Sequence, residues 1–182
     1  MQTILLNHIR TPVGDLMTGT SESGVHFLEF MDVNRPGTSV NLKAYKNFIP
    51  GDDLHPLYQQ LKKELDDYFE GTRKNFSVPL NLTGTQFQRK VWNVLRDIPY
   101  GETISYQELS KRIGDEKSIR AVGMANSKNP IAILIPCHRV IGKDGKLTGY
   151  SGGLERKRFL ISHERKFLNK GSINEGDQYN IF

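Results

Sequence analysis

The chain has 182 residues, with 25 Lys+Arg, 20 Asp+Glu, a single cysteine and a formal net charge of +5. That length suits one large domain or two small ones and can bury a core without disulfides or metal. One cysteine excludes an intramolecular disulfide framework, and no apolar run has the length of a membrane span or the pattern of a signal peptide.

The composition fits an intracellular, cytoplasmic protein whose thiol stays reduced, with no membrane partner. Its charge is unevenly spread. Residues 1–82 carry 8 Lys+Arg against 10 Asp+Glu, a net −2, whereas residues 83–170 carry 17 against 8, a net +9. A basic unit beside a slightly acidic one points to an anionic partner, nucleic acid first. A solvated basic surface accounts for the same numbers equally well.

Residues 2–10 and 15–31 alternate as strands do, with Ser21-Glu22-Ser23-Gly24 as a turn. Residues 32–53 are rich in Asn, Pro, Gly and Asp and read as connection. Leu54, Leu57, Tyr58, Leu61, Leu65, Tyr68 and Phe69 fall at helical spacing, which predicts a helix over 54–70 ended by Gly71. A short strand is expected around 76–80. His8, His26 and His55 have no metal-ligand spacing, so no metal site is expected.

Residues 81–85 read as a linker ending in a helix cap. A helix follows from about 86 to 97, stopped by Pro99-Tyr100-Gly101. Ser105-Tyr106-Gln107-Glu108 has the capping-box pattern and opens a helix that runs to Gly114. Four residues lead to another helix, 119–127, ended by Asn129-Pro130. Two short helices joined by a tight turn match a helix-turn-helix. Arg120 begins the second, and small residues at Ala121, Gly123 and Ala125 allow close backbone approach. A helical hairpin inside a core would have the same pattern.

The apolar run 131–135 predicts a strand leading into Pro136-Cys137-His138-Arg139-Val140. A turn at Lys143-Asp144-Gly145-Lys146, a glycine-rich stretch at 149–153 and a helix over about 154–168 complete the pattern. Residues 171–182 are polar and are expected to form a mobile tail. The predicted architecture is an α/β N-terminal domain (mixed or antiparallel sheet with a helix, 1–82) joined to a mostly α C-terminal domain containing the helix-turn-helix (83–170).

On cysteine count alone, Cys137 reads as a small core hydrophobe. The neighbouring His138 makes it a candidate nucleophile, because cysteine reacts as the thiolate and a nearby base or cation raises the thiolate fraction. Side chains of adjacent residues on a strand point to opposite faces, so a thiol–imidazole contact needs a turn or a bridging water. A base works better when a third group fixes its tautomer. Glu164 is one candidate for that role, though by spacing alone it is a helix-face acid.

The segment 136–140 resembles the signature of the O6-alkylguanine-DNA alkyltransferases, the methylated-DNA–protein-cysteine methyltransferases. The resemblance spans roughly residues 85–168. It includes Gly101-Glu102-Thr103-Ile104-Ser105-Tyr106, Arg120-Ala121-Val122-Gly123, Asn129-Pro130 and Tyr150-Ser151-Gly152-Gly153, in the family's order and near its spacing.

What it implies is repair of double-stranded DNA containing O6-alkylguanine, with O4-alkylthymine as a further candidate, by irreversible single-turnover transfer to Cys137. No cofactor is implied, and we expect a monomer. His138 would be the base through a water, oriented by Glu164. Asn129 would hold the turn before the active cysteine, and Tyr106 would help neutral guanine leave. Backbone at Cys137 and Val140 would read the base edge, Ser151 would lie near O6, and Lys157 would lie near the site. Arg120 would fill the gap left by the flipped nucleotide. Gln107, Ala121 and Gly123 would lie against the minor groove.

Two features differ from the vertebrate member of the family. Its zinc-ligating cysteines have no counterpart here, and Ala132 replaces a pocket proline. Two other classes compete. Alkyltransferase-like proteins bind and flag lesions without transfer, but they lack the cysteine. A cysteine hydrolase would need an oxyanion hole and an acyl cleft, neither of which is legible.

Overall fold

The computed structural model describes residues 3–31 and 47–169. Four strands form one sheet, β1 (Thr3–Ile9), β2 (Leu16–Ser21), β3 (Gly24–Phe30) and β4 (Asn47–Pro50), in the order β3-β2-β1-β4. The first three are antiparallel neighbours, and β4 runs parallel to β1. β4 lies inside the stretch expected to be connection. Four residues that include Asn47 and Pro50 carry too little pattern to read as a strand. The β2–β3 register shifts at Gly19/Thr20, where a Cβ on Gly19 would lie 2.2 Å from the Phe27 ring. Glycine lets that ring cross the strand.

Helix α1 (Pro56–Phe69) buries Tyr58, Leu61, Leu65 and Tyr68, as their spacing predicts. It starts two residues later than expected, at a proline suited to the first turn, and Leu54 is left exposed. The strand predicted around 76–80 is only one bridge, Val25 with Leu80. Pro79 has no N–H to extend the pairing.

Helix α2 (Gln86–Arg96) opens with a complete capping box between Thr85 and Gln88. The short strand β5 (Ile104–Ser105) leads into α3 (Tyr106–Arg112), and α4 (Ile119–Ser127) follows. At Ser105 only half of the predicted box forms. Its hydroxyl accepts from Glu108 N, while the Glu108 carboxylate pairs with Arg112 one turn on. Gly114, at φ 81, closes α3. Trp92 Nε1 donates to Ala125 O at 2.9 Å and fastens α2 to α4. The last helix, α5, is Leu154–Asn169. The tail expected over 171–182 lies outside the described residues, as do residues 32–46 of the expected connection.

Residues 131–135 do not form the predicted strand. A single bridge pairs Leu28 with Ile131, and the chain then turns, with Ile135 N bonding Ile131 O at 3.1 Å. A buried apolar run reads alike as strand or as buried turn, because both are apolar on every side. Sheet edge β3 thus holds both the 79–81 segment and the 130–132 segment, and the second of these carries the chain into Cys137.

Candidate active site

Cys137 begins a one-turn 3-10 helix, Cys137–Arg139, followed by the two-residue strand β6 (Val140–Ile141) beside β5. The turn before it is clamped by Asn129. Its Nδ2 donates to Ile135 O at 2.8 Å, Ile131 O at 3.3 Å and Cys137 Sγ at 3.0 Å, and its Oδ1 accepts from Ile131 N. Ile133 within the turn sits at φ 70, which a β-branched residue rarely adopts. The segment that aims Cys137 is therefore strained and held by its surroundings.

His138, next on the short helix, is fully buried. His138 Nε2 lies 2.7 Å from Glu164 Oε1, so a helix-face acid becomes the imidazole's partner once α5 packs. Arg139 grips the same carboxylate with two bonds, Nε to Oε2 at 2.9 Å and Nη2 to Oε1 at 3.0 Å. Gly101 N donates to Oε2 at 3.0 Å, and Tyr68 Oη of α1 donates to Oε1 at 2.8 Å. Sequence reasoning missed Arg139, Gly101 and Tyr68 as members of this cluster. Arg139 had a signal, since an arginine fork beside a buried histidine calls for an acid. Tyr68, 96 positions from Glu164, had none.

Burial would raise the Glu164 carboxyl. The charge and hydrogen bond of His138, and then those of Arg139, outweigh it and hold the carboxyl well below the usual carboxylate range. Burial lowers His138, against the pull of Glu164. Burial also pushes the Cys137 thiol up, opposed by the Asn129 hydrogen bond and the Lys157 charge. The resting thiol is thus harder to ionise than an ordinary one, contrary to the expectation that its neighbours activate it in the free protein.

Both His138 and Glu164 take up protons more readily when unfolded, so stability rises with pH through each window. On acidification the loss begins below 6.5 for the histidine and below 4.5 for the glutamate. The thermal midpoint should therefore fall as pH drops from 7 to 4. A midpoint flat over that range would contradict the linkage.

Tyr106 is half-buried at the start of α3. Its ring faces Gly123, and its hydroxyl lies near the 148–149 backbone. Val140 is buried in β6, and Ser151 lies on the exposed turn before α5. The Lys157 side chain is buried, with Nζ donating to Thr148 O at 2.7 Å and Gly149 O at 3.3 Å. Desolvation lowers it to about 8. It thus ties down the glycine-rich loop, while its charge reaches Cys137. Gln107, Arg120 and Ala121 are exposed on α3 and α4, and Gly123 is half-buried. Among the described residues no group of three or more His, Cys, Asp or Glu could hold a metal, and no helix is long and apolar enough to cross a membrane.

Residues 86–166 match the family model described as the 6-O-methylguanine DNA methyltransferase DNA binding domain, and residues 4–82 match its ribonuclease-like domain. A methylated-DNA–protein-cysteine methyltransferase of Methanosarcina acetivorans is 42% identical over 154 residues, covering 85% of this chain and 94% of that protein. One of the same name from Haemophilus influenzae is 39% identical over 176 residues, covering 96% and 94%. Among solved structures, the Mycobacterium tuberculosis protein called OGT, in complex with DNA, superposes with a TM-score of 0.78. It is 39% identical and is matched over 91% of this chain and 94% of its own. With both halves matched and relatives of this identity covering most of its length, the chain belongs to the O6-alkylguanine-DNA alkyltransferase family.

Proposed function

We propose that this protein repairs DNA by moving an alkyl group from O6-alkylguanine in duplex DNA to Cys137, once per molecule. The observation that carries this reading is the clamped Cys137 turn, Sγ 3.0 Å from the Asn129 amide, followed directly by the buried His138–Glu164 pair.

The thiol proton leaves through a water to His138, and sulfur attacks the alkyl carbon as the C–O6 bond breaks. The freed electron pair stays on guanine. Tyr106 assists its protonation, so that overall the thiol proton ends on guanine. The product thioether has no easy route back, and no cofactor takes part. Because burial keeps the resting thiol protonated, ionisation belongs to the loaded site, where the base is seated and water is excluded.

The target base must leave the stack before O6 meets sulfur. Residues 83–170 act as the DNA-binding and transfer unit, and residues 1–82 support it. Gln107, Ala121 and Gly123 lie against the minor groove, and Arg120 fills the vacated position in the stack. Val140 and Ser151 belong to the base pocket, and Lys157 braces its loop. A cytoplasmic monomer is the form proposed, since a reducing compartment preserves the lone thiol.

The test is incubation with an O6-methylguanine duplex followed by intact-protein mass and peptide mapping. Transfer adds the mass of one methylene to Cys137. Binding without added mass would favour a lesion-flagging protein, and the reading would fall.

Arg120→Ala separates flipping from chemistry. Removing a base from the stack costs a few kcal/mol, part of which the inserted side chain offsets. The variant should slow duplex repair at least about tenfold while hardly affecting transfer from the free alkylated base, and a mismatch opposite the lesion should partly rescue it. Equal slowing of both reactions would show that Arg120 supports the pocket instead.

A further inference from the structure

We propose that Tyr68, from α1, is a positioning residue for the transfer reaction, setting how strongly Glu164 holds His138. The proposal rests on the transfer reading above. Tyr68 Oη donates to Glu164 Oε1 at 2.8 Å, and that same oxygen lies 2.7 Å from His138 Nε2 and 3.0 Å from Arg139 Nη2. Three donors therefore share one carboxylate oxygen. Each draws on its charge, so each limits what the others receive.

The hydroxyl cannot easily turn elsewhere. Tyr68 is fully buried, its ring packed against Phe69, Phe76, Tyr100 and His163. Its backbone carbonyl lies 2.8 Å from His163 Nε2. Consecutive residues of α5, His163 and Glu164, thus grip one residue of α1, by main chain and side chain respectively. Burial and the Glu164 charge push the Tyr68 hydroxyl well above its ordinary value, so it remains a donor throughout the working range.

The other charged and titratable groups around the pair are Arg139 and Cys137 on the short turn, Lys157 on α5, and Tyr100 and Tyr150 on flanking loops. All of them remain in place when the Tyr68 hydroxyl is removed. Losing that donor concentrates charge on Oε1, which then stabilises the imidazolium of His138 more strongly. His138 should protonate at higher pH and be lost as a base sooner on acidification.

The experiment titrates the His138 ring by NMR without DNA, the acid limb being the protonation of that ring, alongside transfer from an O6-methylguanine duplex. In Tyr68→Phe the acid limb should move up by about half a pH unit, with duplex transfer above the limb within about threefold of the parent. In a Glu164→Gln background the same substitution should leave the limb where it is. Replacing Tyr68 with 3-fluorotyrosine, a stronger donor of nearly the same shape, should move the limb down; this keeps the test open if the phenylalanine variant folds poorly.

A change in thermal midpoint without movement of the limb would mean that Tyr68 only supports the fold, and would overturn the proposal. So would limbs moving the same way in the two variants. A shifted His138 limb in a protein that never demethylates the duplex would uphold the Tyr68 coupling while the transfer reading failed. Duplex transfer with an unmoved limb would do the reverse.

Discussion

Cys137→Ala is expected to lower alkyl transfer by more than about 10³-fold while leaving affinity for alkylated duplex within about twofold of the parent. Removing a nucleophile removes the bond-forming step, which no neighbour replaces at comparable rate. The elements proposed to bind DNA are elsewhere, on α3, on α4 and in the loop held by Lys157. The local cost is small. Asn129 Nδ2 loses its contact to sulfur but keeps Ile135 O at 2.8 Å and Ile131 O at 3.3 Å, so the turn retains its clamp. One hydrogen bond of this kind contributes about 1 kcal/mol. Intact mass after incubation with O6-methylguanine duplex reads the transfer, and a titration with labelled duplex reads the affinity. Transfer by the variant near the parental rate would remove Cys137 as the acceptor. Lost affinity with a normal thermal midpoint would mean that the thiol itself contributes to lesion binding.

Glu164→Ala is expected to destabilise the fold by about 3–5 kcal/mol, the range for breaking a buried ion pair from one side. The Glu164 carboxylate accepts from His138, Arg139, Tyr68 and Gly101 N. Without it the Arg139 guanidinium keeps Ile98 O, through Nη1, and the face of the Tyr100 ring, and its charge stays buried. Glu164→Gln preserves the shape and one acceptor oxygen but removes the charge, so its cost should be smaller. Urea unfolding at pH 7 measures both, with an unchanged m-value confirming that the native state, rather than the unfolded chain, was altered. A loss below about 1 kcal/mol for the alanine variant would show that solvent enters and replaces the carboxylate.

The two substitutions address different parts of the same site. Cys137 is replaceable as a packing element, whereas Glu164 ties α1, the 98–101 segment, the active turn and α5 together through one side chain. A cell carrying Glu164→Ala would lose repair through loss of folded protein, and a cell carrying Cys137→Ala would lose it with the protein present.

The local architecture and the candidate reacting pair were legible in the amino-acid sequence. Helical spacing marked α1 through Tyr58, Leu61, Leu65 and Tyr68. Thr85 and Ser105 marked the starts of α2 and α3, and Gly114 the end of α3. Each of these signals acts within a turn or two of chain, which is the range over which side-chain spacing and backbone capping operate. Cys137, His138, Asn129 and Arg120 were visible because their motif is short and ordered. The tertiary structure decided the rest. An apolar run over 131–135 became a strained buried turn because β3 and Asn129 claimed its backbone groups. Glu164 became the anchor of His138, joined by Arg139 and Tyr68, because α5 packs against the active turn and α1. The Cys137 thiol was raised rather than lowered, because desolvation depends on what surrounds a group in space and not on what adjoins it in sequence.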